Sequence, residues 1–165
     1  MPRRQRDRDA DFTAFVHVQG VALRRTAFLL CGDWHRAEDL TQEALTRICM
    51  AWPRLRDTTQ LGAYARTVVV RLVIDASRRS WETTVGDVPE RAFIPASHDQ
   101  RDVILAALDK MPHRQRAVLV LRYWEDFSVA QTAEALGCAE GTVKSQAARG
   151  LAALRELLPA REELL

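Results

Sequence analysis

Hydrophobic residues recur every three or four positions along most of this chain, which is the spacing of amphipathic helices. The clearest case is the segment 37–52, AEDLTQEALTRICMAW. Its apolar face comprises Leu40, Ala44, Leu45, Ile48 and Trp52, and its polar face comprises Asp39, Gln42, Glu43 and Thr46. Pro53 ends this predicted helix, and the pair Gly32 and Asp33 separates it from one or two earlier helices. Asp39 and Glu43, four residues apart, repel each other, which a basic partner would relieve.

The segment 62–79, GAYARTVVVRLVIDASRR, is predicted to form a third helix, although it contains the β-branched run Val68–Val70. No turn signal interrupts it after Gly62, and its length exceeds that of an ordinary strand. Arginine recurs along it at positions 66, 71, 78 and 79, which gives a surface suited to phosphates. Tyr64 can stack on an unpaired base.

The segment 127–155, FSVAQTAEALGCAEGTVKSQAARGLAALR, is typical of two helices joined by a tight turn. Ser128 can cap the first helix, with Gln131 reaching back in a capping box, and Gly137 ends it. Val129, Thr132, Ala133 and Leu136 form its buried face. A second helix begins at about Glu140, and the outward residues able to reach phosphates and base edges are Thr142, Lys144, Ser145, Gln146 and Arg149. The pattern predicts a DNA-binding helix-turn-helix.

Composition narrows the alternatives, since 47% hydrophobic and 28% charged residues are ordinary values for a soluble globular protein. Apolar runs are far shorter than the roughly 18 residues of a membrane span, and the charged N-terminus lacks the core of a signal peptide. A cytoplasmic protein without membrane association is expected. The three cysteines (Cys31, Cys49 and Cys138) form no CxxC motif and are expected to be buried. No catalytic, cofactor or metal motif is present.

The net charge of +2 conceals an uneven distribution. Residues 1–80 carry 14 basic and 9 acidic side chains, residues 81–100 carry one and four, and residues 101–165 carry nine of each. The acidic middle segment contains proline, glycine and small polar residues without a helical period, which predicts a linker. The predicted fold is therefore all-α, with two small helical domains joined by a flexible linker.

These motifs, in this order and spacing, resemble a bacterial RNA polymerase sigma factor of the extracytoplasmic-function (ECF) group of the sigma-70 family, over most of the chain. The resemblance implies a sigma-2-like domain over residues 1–80, which binds core polymerase and the minus-10 element. It also implies a linker over 81–100 and a sigma-4-like domain over 101–165, which binds the minus-35 element. The implied function is transcription initiation: the protein binds core RNA polymerase, directs it to specific promoters and assists promoter opening. It implies no enzymatic activity and no cofactor.

The resemblance also implies roles for individual residues. Contacts to the clamp helices of the largest polymerase subunit fall on Asp39, Gln42, Glu43 and Thr46. Contacts to the minus-10 element, where a nearby loop captures a flipped base, fall on Tyr64, Arg66, Thr67, Arg71, Arg78 and Arg79. Contacts to the minus-35 element fall on Thr142, Lys144, Ser145, Gln146 and Arg149. The flap region of the second-largest subunit and an anti-sigma factor are further implied partners. Tyr64, Arg71 and Gln146 depart from the residues common in the group, so the base preferences are expected to differ.

Two other hypotheses fit parts of the pattern. A LuxR-type transcriptional regulator that does not associate with core polymerase also ends in a helix-turn-helix, but the first 80 residues lack the βα alternation of a receiver domain. An all-helical enzyme or a protein-binding adaptor would not need an arginine-bearing helix together with a helix-turn-helix.

Overall fold

The computed structural model describes the backbone of residues 2–55, 60–83 and 100–158, and the side chains of residues 6–55, 60–78 and 102–158. The helices in these ranges are α1 (Pro2–Cys31), α2 (Trp34–Ala51), α3 (Leu61–Thr83), α4 (Gln100–Asp109), α5 (His113–Leu119), α6 (Val129–Leu136) and α7 (Glu140–Leu157). A 3-10 turn, Trp52–Arg54, follows α2, and a π-helical turn, Val120–Trp124, follows α5. The described ranges contain no strand, and the all-α prediction is confirmed. The chain divides into two compact units, Met1–Ser77 and Arg78–Leu165.

In the first unit, α1 and α2 form a hairpin because the chain reverses at Gly32. This glycine has a φ of 72°, in the left-handed region that residues with a Cβ avoid. Asp33 then caps α2, since its carboxylate accepts a hydrogen bond from the Arg36 backbone N–H at 3.1 Å. That hydrogen bond lowers the pKa of the Asp33 carboxyl. The cap explains why α2 begins at Trp34, three residues before the position that periodicity indicated, and the residues ahead of Gly32 form one helix, α1.

The core of the first unit is formed by residues of α1, α2 and α3. Its fully buried members are Leu23, Ala27, Ala37, Ala44, Ile48, Ala65, Val69, Val70 and Val73. Val69 and Val70, two members of the β-branched run of α3, are buried in this core. Their burial outweighs the modest loss of helix propensity, so the segment is helical. Arg36 joins α2 to α3 by donating an Nη2 hydrogen bond to the Ala76 carbonyl at 2.7 Å. Trp52 closes the other end against the rings of Phe12 and Phe15, with centroids 5.2 and 5.3 Å away.

The predicted linker falls mostly on residues 84–99, which lie outside the described residues. At its edges, α3 continues to Thr83 and α4 begins at Gln100. The cysteine prediction is correct for Cys31, which is buried, but wrong for Cys49, which is exposed on α2; Cys138 is half-buried.

The second unit is built around α7, which packs against α4, α5 and α6. A small cluster of Val118, Ala133 and Val143 lies where α5, α6 and α7 meet. Gly150 lets α5 and α7 approach closely, since a Cβ at this position would lie 3.1 Å from the Leu119 Cγ. Arg116, only 2% exposed, donates a hydrogen bond to the Asp109 carboxylate at 3.1 Å, which joins α5 to α4.

Candidate polymerase and nucleic-acid surfaces

The outward side of α2 carries the four residues predicted to contact a protein partner. Asp39, Gln42, Glu43 and Thr46 are all exposed, and we call this surface the acidic stripe. At about 100° per residue they lie within about 100° of one another around the helix. The opposite side is buried through Ala37, Leu40, Thr41, Ala44, Leu45 and Ile48. Because that side is fixed in the core, the helix presents the stripe rigidly.

The side chains around the acidic stripe are ordered by local hydrogen bonds. Glu43 pairs with Arg47 at 2.6 Å, and Thr46 donates a hydroxyl hydrogen bond to the Gln42 carbonyl at 2.9 Å. Beside the stripe, Glu38 accepts a hydrogen bond from Arg24 of α1 at 2.9 Å and one from Gln42 at 3.3 Å. These two hydrogen bonds, that of Arg24 being the stronger cause, lower the pKa of the Glu38 carboxyl. The Glu38 carboxylate beside the stripe therefore remains ionised at neutral pH.

The predicted minus-10 residues do not all share one face of α3. Tyr64, Thr67 and Arg71 follow one another at spacings of three and four residues, so they lie on one side. Tyr64 is 38% exposed and Arg71 is also exposed. Arg66 is half-buried and lies about 140° around the helix from Arg71, so this face does not include it.

The last turns of α3 carry the remaining two arginines of that prediction. Arg78 is half-buried and donates an Nη2 hydrogen bond to the Leu136 carbonyl at 2.8 Å. The Arg79 side chain lies outside the described residues. Asp75, exposed four residues after Arg71, places one carboxylate on the face that carries Tyr64 and Arg71.

The helix-turn-helix prediction agrees with the structure in detail. Ser128 and Gln131 form the complete capping box, with hydrogen bonds of 3.0 and 2.8 Å. Gly137 ends α6 with a φ of 63°, in the left-handed region, and α7 begins at Glu140 as predicted. This turn directs the first half of α7 outward while Val143 anchors it in the cluster.

The five predicted minus-35 residues all lie within the first ten residues of α7. Lys144, Ser145 and Arg149 are exposed, whereas Thr142 and Gln146 are half-buried. Sequence reasoning missed Arg114 of α5, an exposed cation that lines the same shallow depression as Thr142 and Gln146. No local pattern marks Arg114, since only packing of α5 against α7 brings it there.

The described residues hold no cluster of histidine, cysteine and carboxylate side chains arranged to bind a metal ion. Among the helices described, none is long and apolar enough to cross a membrane.

Comparison with known families matches both units. Residues 16–83 match the family described as Sigma-70 region 2, and residues 101–154 match Sigma-70, region 4. The RNA polymerase sigma-E factor of Streptomyces coelicolor is 36% identical over 156 residues, covering 92% of this chain and 88% of that protein. The ECF RNA polymerase sigma factor SigL of Mycobacterium tuberculosis is 36% identical over 152 residues, covering 86% of this chain and 85% of SigL.

A solved structure has a similar fold. The sigma factor RpoE of Bartonella quintana, crystallised with the anti-sigma factor NepR, has a TM-score of 0.65 and 27% identity, over 89% of this chain and 96% of RpoE. The chain belongs to the extracytoplasmic-function group of the sigma-70 family. It is a transcription initiation factor that directs RNA polymerase to promoters, and it is not an enzyme. The family hypothesis is thereby confirmed over the LuxR-type regulator.

Proposed function

We propose that the three surfaces divide the work of initiation among them. The acidic stripe of α2 binds the clamp helices of the largest polymerase subunit, α3 binds the minus-10 element, and α7 binds the minus-35 element. In this proposal residues 1–80 act as the sigma-2 domain and residues 101–165 as the sigma-4 domain, joined by the linker 81–100. The observation that carries it is the rigid exposure of the acidic stripe on one helix and of Lys144, Ser145 and Arg149 on another.

For the polymerase contact, the support is electrostatic. Asp39 is exposed and, within the described side chains, has no ion pair of its own. An exposed, unpaired carboxylate contributes to association when a cation on the partner meets it. The Asp39→Arg variant should therefore lose core polymerase in a pull-down. Asp11→Arg makes the same charge change at an exposed position of α1 and should retain it. Retention by Asp39→Arg would reject the assignment.

For the minus-35 contact, the support is placement on a helix that can enter the major groove. Thr142, Lys144, Ser145, Gln146 and Arg149 all fall within its first ten residues. The chain has two lysines, Lys144 on α7 and Lys110 just after α4, and both are exposed. Lys144→Ala should weaken promoter binding and reduce the salt slope of log K by about one unit, while Lys110→Ala should leave the slope unchanged. Equal slopes for Lys144→Ala and the unmodified protein would exclude a phosphate contact.

For the minus-10 contact and promoter opening, the support is the shared face of Tyr64, Thr67 and Arg71. An exposed aromatic ring with a cation about two turns further along the same face suits an unstacked base and a phosphate of the same strand. Arg78 and Arg79 extend this proposal toward the end of α3. Arg66 belongs to it only as a flanking phosphate contact, since it lies off the shared face.

We include three further proposals about partners and location. The second domain contacts the flap region of the second-largest polymerase subunit, as the family resemblance implies. An anti-sigma factor holds the free protein, by analogy with Bartonella quintana RpoE and its partner NepR. The protein acts in the cytoplasm, where core polymerase and promoters are found.

Run-off transcription tests the proposed division of work most directly. Purified core polymerase is supplied with this protein, or with Asp39→Arg or Lys144→Ala, on genomic promoter fragments. Discrete transcripts should depend on the unmodified protein, disappear with Asp39→Arg and decrease with Lys144→Ala. Transcripts of equal intensity from all three proteins would overturn the assignment of both surfaces.

A further inference from the structure

The exposed side of α2 continues beyond the acidic stripe. Met50, one turn after Thr46, has 75% of its surface exposed. At about 100° per residue, Met50 lies about 20° around the helix from Asp39 and about 40° from Thr46. The methionine is therefore in line with the stripe, at the C-terminal end of the same face.

Met50 does not contribute to the core that holds α2 in place. The core-facing positions of the last two turns are Ala44, Leu45 and Ile48, all buried. A single exposed apolar side chain is ordinary on a protein surface. This one differs by its position, since it extends a row of four polar residues that already face a protein partner in the proposed function.

We propose that Met50 is the apolar anchor of the polymerase-binding surface. It inserts into an apolar depression of core polymerase, at the end of the basic surface that binds Asp39. This inference rests on the proposed function of the acidic stripe. Protein interfaces concentrate their affinity in a few side chains that become fully desolvated, and methionine is enriched among interface residues. Its flexible thioether also adapts to irregular depressions.

Charge complementarity identifies the occupant of this face. A second copy of the chain would bring another acidic stripe against this one, and like charges across an interface oppose association. A partner that accepts Met50 in line with Asp39 and Glu43 must be basic along one edge and apolar at its end. Core polymerase is the partner for which the stripe is already proposed, so the surface is one continuous interface.

Binding affinities test the anchor against a control of equal exposure. Val18 on α1 is also 75% exposed and lies in the same unit. Met50→Ala should weaken association with core polymerase about tenfold, because truncation to alanine removes most of the apolar area that the methionine would bury at the interface. Val18→Ala should leave the affinity unchanged, and Met50→Leu should remain within about threefold, since it nearly conserves apolar volume. Equal affinities for Met50→Ala and Val18→Ala would overturn the inference.

Oxidative footprinting of the unmodified protein supplies a second readout. The chain has three methionines, Met1, Met50 and Met111, and Met111 is only 4% exposed. Hydrogen peroxide transfers an oxygen atom to a methionine sulfur, which gives the sulfoxide and water. Mass spectrometry should show fast oxidation of Met50 in the free protein, strong protection in the complex with core polymerase, and slow oxidation of Met111 in both. Oxidation of Met50 at the same rate in both states would reject burial at the interface.

The Asp39→Arg variant separates failure of the inference from failure of the proposed function. If Asp39→Arg loses core polymerase while Met50→Ala does not, the stripe binds as proposed and the anchor is rejected. If Asp39→Arg binds normally, the assignment of the stripe is itself rejected, and the anchor with it.

Discussion

Replacing Gly150 with alanine should destabilise the second unit, although alanine is the better helix former. Gly150 is buried within α7, where the change from glycine to alanine would by itself stabilise a helix by about 1 kcal/mol. The new Cβ would lie 3.1, 3.2 and 3.3 Å from the Cγ, Cδ1 and Cδ2 atoms of Leu119. Favourable carbon contacts are about 3.5–4.0 Å apart, and overpacking of this kind costs about 1–3 kcal/mol.

Leu119 cannot easily move away, because it is itself only 5% exposed on α5. The net expectation for Gly150→Ala is a loss of about 1 kcal/mol, the balance of a propensity gain and a larger packing cost. Gly141→Ala is the matched control, since it lies in the same helix and its Cβ would meet no atom within 4 Å. That variant should be neutral or stabilised by up to about 1 kcal/mol.

Hydrogen exchange measured by mass spectrometry suits this comparison, because it reports the opening free energy of α5 and α7 separately from the first unit. Gly150→Ala should accelerate the slowest amides of α7 about fivefold, the factor equivalent to 1 kcal/mol. Gly141→Ala should leave them unchanged or slow them. If Gly150→Ala protected α7 as well as Gly141→Ala does, the close approach of α5 and α7 at Gly150 would be refuted.

Three further predictions concern polar contacts. Ser128→Ala removes the cap of α6 and should cost about 1 kcal/mol, measured by hydrogen exchange of the α6 amides. The control is Ser145→Ala, which removes an exposed hydroxyl. Equal exchange of α6 in the two variants would contradict the cap. Arg116→Ala removes the buried cation that pairs with Asp109 and should lower the free energy of unfolding in urea by about 3 kcal/mol. Arg114→Ala, on the same helix, should cost less. An equal cost for the two variants would reject the buried pair. The folded pKa of Asp33 is lowered, so the extra stability from its charged cap is fully present above the ordinary value of 3.8 and is lost as the pH falls through the lower folded pKa. Asp33→Ala should therefore destabilise the first unit more at pH 7 than at pH 2. The same loss at both pH values would contradict a charged cap.

The sequence predicted best those features that depend on neighbouring residues. The capping box of Ser128 and Gln131 and the left-handed Gly137 are local, so their residue types suffice to place them. The prediction that α3 is a helix relied on the length of the segment and on the absence of turn signals, because its valines by themselves favour a strand. Contacts between distant segments left no local trace: Arg36 bonds a carbonyl 40 residues away, and Leu119 requires a glycine at position 150. The exposure of Cys49 was missed because residue type indicates burial only on average.

The two carboxylates of the acidic stripe differ in what they offer a partner. Glu43 already holds Arg47 at 2.6 Å, so a cation on polymerase must share or displace an existing pair, which reduces the net gain. Asp39 has no ion pair within the described side chains, and Arg24 is held by Glu38, the residue before Asp39. An incoming cation therefore meets Asp39 without first breaking a contact. In the proposed complex, the attraction between α2 and its partner is centred on Asp39. Met50, in line with Asp39 about three turns further along, is placed to stabilise that complex once it has formed.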